Sequence, residues 1–140
     1  MKKVLIMKRD IKFRGKRVRT EDPLERWIEG SYVEYTNIRD EKIIKIMSQS
    51  GYMNDINPET VGQFTGLCDK NGKEIYEGDI VECNGDICKV MYSNHYAGFA
   101  LDKKGWLYLH FFGEAFSNKD CLVIGNIHDN IELLKENNHE

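Results

Sequence analysis

From residue 62 onward, Gly, Asn and Asp cut the sequence into apolar runs only a few residues long, and this punctuation limits the fold more than any other feature. Gly62–Leu67 leads into an Asp69-Lys70-Asn71-Gly72 turn, and Lys73–Tyr76 leaves it. Glu77-Gly78 bends the chain into Asp79–Cys83, Asn84-Gly85 turns it again, and Asp86–Tyr92 returns. After a Ser93-Asn94 break come Gly98–Leu101, a turn at Asp102–Gly105, Trp106–Phe112 and finally Leu122–Ile127. Asn-Gly pairs supply the positive φ that two-residue hairpins need, at no steric cost. Runs this short, at about ten-residue spacing, predict antiparallel strands rather than helices. The expected class is mainly β, α+β at most: a small antiparallel β-barrel, SH3-like or similar, with an N-terminal β-hairpin and a short C-terminal helix.

The front half is less sharply marked. Ile11-Lys12-Phe13-Arg14 alternates apolar and basic residues, which predicts a strand with one buried and one basic face. Trp27–Tyr35 is a second extended stretch and the expected hairpin partner of the first. Glu41–Met47 fits a strand or two turns of helix, and periodicity leaves the choice open. Ser48–Pro58 is polar and irregular and reads as a loop. Asp129 or Asn130 is placed to cap a helix over Ile131–Lys135. The chain is expected to be one domain, 1–140: a basic arm and hairpin over 1–47, a loop over 48–58, the barrel core over 59–128, and a short helix and tail over 129–140. At 140 residues it is long enough to bury an ordinary core without metals or disulfides.

Charge is distributed unevenly. Residues 1–19 hold nine Lys or Arg against one acid, a net +8, while the rest of the chain carries 11 basic and 22 acidic groups, a net −11. The arm residues Lys8, Arg9, Lys12, Arg14, Lys16, Arg17 and Arg19 are therefore candidates for phosphate contact. Pairing with the acidic body of the same chain or of a sister subunit is the alternative.

The apolar run Val4–Met7 is too short for a signal-peptide core, so the expected location is the cytoplasm, with no membrane contact. In that reducing compartment the four cysteines should stay thiols. Cys83 and Cys88 flank the Asn84-Gly85 turn on one face but sit diagonally, roughly 7–8 Å apart, beyond comfortable disulfide reach. No Cys-x-x-Cys occurs, and the four histidines form no i, i+4 pair, so no metal site or cofactor is expected. Glu77 and Asp79 bracket Gly78 in a bend, where short polar residues belong without any catalytic role. No catalytic residue is assigned.

In Trp106–Phe112, strict alternation would send Leu107, Leu109 and Phe111 to the core. Trp106, Tyr108, His110 and Phe112 would then form an aromatic stripe, able to stack on bases or to be covered by protein.

Residues 58–82, PETVGQFTGLCDKNGKEIYEGDIVE, resemble the central motif of the YopX family of phage and prophage proteins. Ile11–Lys16 and Val123–His128 agree with it in the expected order. Met1–Ile6 precede the usual family start, which makes Met7 an alternative first residue. The resemblance implies a phage-encoded accessory protein and carries over no known reaction. Three function classes remain: a non-catalytic module binding a host or phage protein and forming a homo-oligomer, a nucleic-acid binder using the basic arm and the Trp106–Phe112 strand, and an enzyme, for which the sequence offers no positive sign.

Overall fold

The computed structural model describes residues 9–19, 22, 26–114 and 116–136. Contacts within the chain cluster into two units, residues 1–66 and residues 67–140.

The first unit is built from strands β1 (Phe13–Lys16), β2 (Trp27–Thr36), β3 (Lys42–Met47), β4 (Met53–Asp55) and the start of β5 (Gly62–Cys68). Their order is β4-β3-β2-β1-β5, with every neighbouring pair antiparallel. The expected pairing of the first two extended stretches is present, with Arg14 opposite Glu29 and Lys16 opposite Trp27. Glu41–Met47 resolves as a strand. Its β-branched Ile43, Ile44 and Ile46 suit a pleated surface better than a helix turn.

The small core of this unit forms on the face of β1 away from the cations. Gly15 lies opposite Ile28, and a side chain there would meet the methyl groups of Ile56 and Ile46 at 3.1 and 3.2 Å. Having none, Gly15 lets both isoleucines close over the strand, and both are buried. Residues 48–58, expected to be loop, instead contain β4, the isolated bridge of Ile56 with Arg17, and the start of a 3-10 turn, Pro58–Thr60. Asn57 caps that turn through its side chain, and Thr60 Oγ1 accepts the Lys16 amide at 2.8 Å. Backbone pairing thus orders a segment whose composition reads as irregular.

The second unit contains β6 (Glu74–Tyr76), β7 (Asp79–Cys83), β8 (Asp86–Ser93), β9 (Gly98–Asp102), β10 (His110–Phe111), β11 (Cys121–Asn126) and a short helix α1 (Glu132–Glu136). β6 stands next to β5 in the strand order, and the others form a sheet ordered β10-β9-β8-β7-β11. Asn84 and Gly85 both have positive φ, 53° and 91°, so Cys83 pairs with Asp86 across a two-residue turn as expected. Ile75, Val81, Cys83, Cys88, Val90, Leu101, Phe116 and Cys121 make one core cluster.

The mainly β class with a short terminal helix is what the punctuation predicted. The closed barrel is not: both strand orders are open, and among the described residues no pairing joins β10 to β11 or β4 to β6. A second correction concerns the cysteines. Cys83 on β7 faces Cys121 on β11 with a Cα–Cα distance of 4.3 Å, and the two form a disulfide, leaving Cys68 and Cys88 free. The expectation of four thiols rested on a reducing compartment and on the Cys83–Cys88 separation across the β7–β8 turn, whereas β11 adds to the other edge of β7 and sets Cys121 opposite Cys83. Among the described residues, no helix is long and apolar enough to cross a membrane.

Candidate functional site

Alternation along β1 sends Arg14 and Lys16 to one face, and Lys12, just before the strand, continues the row. Each cation lies over an aromatic ring. The Arg14 guanidinium is 4.7 Å and the Lys16 ammonium 5.6 Å from the Trp27 centroid, and Lys12 is 5.2 Å from that of Phe64. Cross-strand pairing places Trp27 beside Lys16 and Glu29 beside Arg14, and Glu29 also reaches Lys12 at 3.9 Å. The row is therefore half-buried, with stems packed along rings and charged ends outward. Of the other arm residues, Arg9 and Arg19 are exposed and Arg17 is half-buried in the bridge to Ile56. Lys8 lies outside the described residues.

The same sheet face continues onto β2, β3 and β4. Val33 pairs with Lys45, Tyr35 with Ile43, and Met47 with Met53, so these side chains share it. Tyr35, Met47 and Met53 are exposed. Lys45 is tied to Asp55 at 3.3 Å. The opposite face carries Lys42 on Glu34 at 2.9 Å, a contact that holds the Glu34 carboxyl below its ordinary value.

The β2–β3 connection ends in a fully exposed Ile38. Its backbone is held from within: Asn37 Oδ1 accepts the amides of Arg39 and Glu41, both at 2.9 Å, and the Asn37 amide donates to the Glu41 carbonyl at 3.0 Å. An exposed apolar tip on an ordered loop, joining the two strands that carry Tyr35 and Met47, went unread in the sequence. The available signal was the Tyr32-Val33-Glu34-Tyr35 alternation followed by Ile38 in a polar turn.

In the second unit, Trp106–Phe112 departs from the expected strand. Among the described residues, only His110–Phe111 pairs with another strand, β9, and Phe112 forms an isolated bridge to Phe116. Gly105 at φ 98° and the Trp106 amide bond to the Lys103 carbonyl turn the chain, swinging Trp106 back onto Phe116 with near-parallel rings 5.8 Å apart. His110 packs on Trp106 at 4.1 Å, and Phe112 lies against the core. Of the four stripe residues only Tyr108 is exposed, at 79%, next to Leu107, which the alternation assigned to the core, at 90%.

The remaining candidates for chemistry have structural employment. Asp79 is buried and accepts the Tyr76 amide at 2.7 Å, bracing the bend at Gly78. Cys88 is buried, and that burial, with Asp86 nearby, pushes its thiol up to about 12, far from thiolate reactivity. Among the described residues, no group of three or more His, Cys, Asp or Glu is placed to hold a metal.

The family described as "YopX protein" matches residues 12–135. The crystal structure of protein EF1440 from Enterococcus faecalis is similar over 89% of this chain and 98% of that one, at 24% identity and a TM-score of 0.46. No curated protein matches. Since the matched span covers most of the chain and takes in every described strand, the chain belongs to the YopX family.

Proposed function

We propose that this protein is a non-catalytic binding module, encoded by phage or prophage, that associates with itself through the sheet face of its first unit. The observation behind this reading is the row of Lys12, Arg14 and Lys16 on the same sheet face as the exposed Tyr35, Met47 and Met53, with Ile38 exposed in the β2–β3 loop. Apolar exposure of this kind is ordinarily covered by a partner. The cover that complements it is acidic. Residues 67–140 carry 13 acids and seven lysines, a net −6, whereas residues 1–66 carry 13 basic and ten acidic groups, a net +3. The first unit of one copy against the second unit of another is a head-to-tail contact, which builds rings or filaments. A host or phage protein with an acidic surface is a further partner on the same reading, in the host cytoplasm.

Light scattering at tens of micromolar tests this. Multiples of the chain mass at low salt, falling toward one chain mass as salt screens the contact, support it. A single chain mass at low salt rules it out.

A second reading is favoured by the position of Arg14 and Lys16 on Trp27: a nucleic-acid surface in which bases stack while phosphates meet the arm. Replacing Arg14, Lys16 and Arg17 by Ala should then lower DNA or RNA affinity and flatten its dependence on salt. The absence of any gel shift by the intact protein at low salt removes this reading.

A further inference from the structure

The second unit has only seven lysines in its acidic sequence, yet four of them, Lys89, Lys103, Lys104 and Lys135, line a single cleft. The cleft holds about 430 Å³, within the range of small-molecule sites. Two elements build it. Along β8, Cys88 and Val90 enter the core, so Ile87 and Lys89 face the other side of the sheet. On the opposite wall stand Ile131, just before α1, and Leu134 and Lys135 within it.

The charges in this cleft are not balanced from within. Lys103 is committed to Asp86 at 2.8 Å, and Asp102 adds one further carboxylate to the wall. No ion pair among the described residues engages Lys89, Lys104 or Lys135. Lys89 stands opposite Asp102 across β8 and β9, so Lys89, Lys104 and Lys135 against that one carboxylate leave a net +2 around one opening, which an anion between them would offset. The rest of the lining is aliphatic, from Ile87, Ile131 and Leu134.

A lining that mixes lysines with aliphatic side chains selects a ligand that has both characters. We propose that this cleft binds an aliphatic carboxylate, its chain lying on Ile87, Ile131 and Leu134 and its headgroup among Lys89, Lys104 and Lys135. This site is separate from the sheet face of the first unit and does not depend on self-association.

The test is a titration of the full chain, followed by amide proton–nitrogen correlation spectra, with sodium octanoate below its micelle concentration. Octanol and inorganic phosphate are parallel arms. Octanoate should give saturable shifts at residues 87–89, 102–104 and 131–135, with octanol and phosphate each weaker by about tenfold or more. K89Q combined with K104Q should weaken octanoate by about tenfold while the signals of Val81 and Leu101 stay in place. If the pair perturbs the fold, K104Q alone, at an exposed position, should still weaken binding severalfold. Octanol binding as tightly as octanoate would reduce the cleft to a greasy patch, and phosphate binding as tightly would reduce it to a charge cluster. Either result overturns the proposal, as do unsaturable shifts or a lysine variant that binds like the parent.

Discussion

The Asp69 carboxylate, in the turn after β5, accepts the amide of Val123 on β11, 54 residues further along the chain, at 2.9 Å. Its other oxygen accepts the amides of Asn71 and Lys73, each at 2.9 Å, so one buried side chain organises its own turn and fixes a distant strand.

Removing that carboxylate leaves three backbone donors without their acceptor. Asp69→Ala should cost about 3 kcal/mol, measured by urea unfolding at neutral pH. A loss under about 0.5 kcal/mol would mean the donors find other partners.

The same geometry sets a pH dependence. Burial pushes the Asp69 carboxyl upward, but the Val123, Lys73 and Asn71 amides and the Lys73 charge outweigh it and hold the group below its ordinary value of 3.8. A carboxyl lowered on folding stabilises the fold above its unfolded pKa and loses that contribution as pH falls through the folded value. Stability measured from pH 5 downward should therefore fall in the parent below about pH 4, and the fall should be shallower in Asp69→Asn. Parallel curves for the two proteins would disprove the assignment.

Thiol counting separates the cysteines. With Cys83 and Cys121 bonded, Cys68 half-buried and Cys88 buried with a raised pKa, the native protein should react at one thiol, Cys68. Denaturation without reductant should expose two thiols, and reduction all four. The bond closes a sequence separation of 38 residues, so reduction should lower stability by about 2–4 kcal/mol. Four reactive thiols in the unreduced, denatured protein would return the chain to the all-thiol state expected of a reducing compartment.

Trp106–Phe112 yields a contrast between neighbours. Phe116→Ala removes the ring on which Trp106 and His110 pack and should cost about 3–4 kcal/mol. Leu107→Ser touches an exposed side chain and should change stability by less than about 0.5 kcal/mol. A strand with Leu107 in the core would reverse that order.

Gly30 supplies the last test. A Cβ there would fall on the carbonyl of Met47, which is backbone and has little room to move. Gly30→Ala should cost about 2–3 kcal/mol and broaden signals along β2 and β3, as overpacking does. Unchanged melting would mean the two strands separate there at little cost.

These residues also mark where sequence reading succeeds and where it stops. Asn84-Gly85 fixes its hairpin because the dihedral requirement is local, and Lys12, Arg14 and Lys16 fix their face because strand alternation is local too. Cys83–Cys121 depends on which edge of β7 receives β11, a choice made by packing across 38 residues. The alternation through Trp106 failed because Gly105 turns the chain before a strand can start. Ser48–Pro58 looked irregular because its order comes from pairing with β3 and with Arg17, and its own residues give no sign of either. The lysine cleft draws on residues 87 to 135, scattered in the chain and gathered only by the sheet and α1.

The loop that carries Ile38 has one further effect. Because Asn37 Oδ1 already holds the amides of Arg39 and Glu41, just after Ile38, a pocket that receives Ile38 would meet a backbone with little freedom left to lose. Recognition through that tip would then resemble a pre-formed key more than a folding segment, and association would proceed with small ordering entropy.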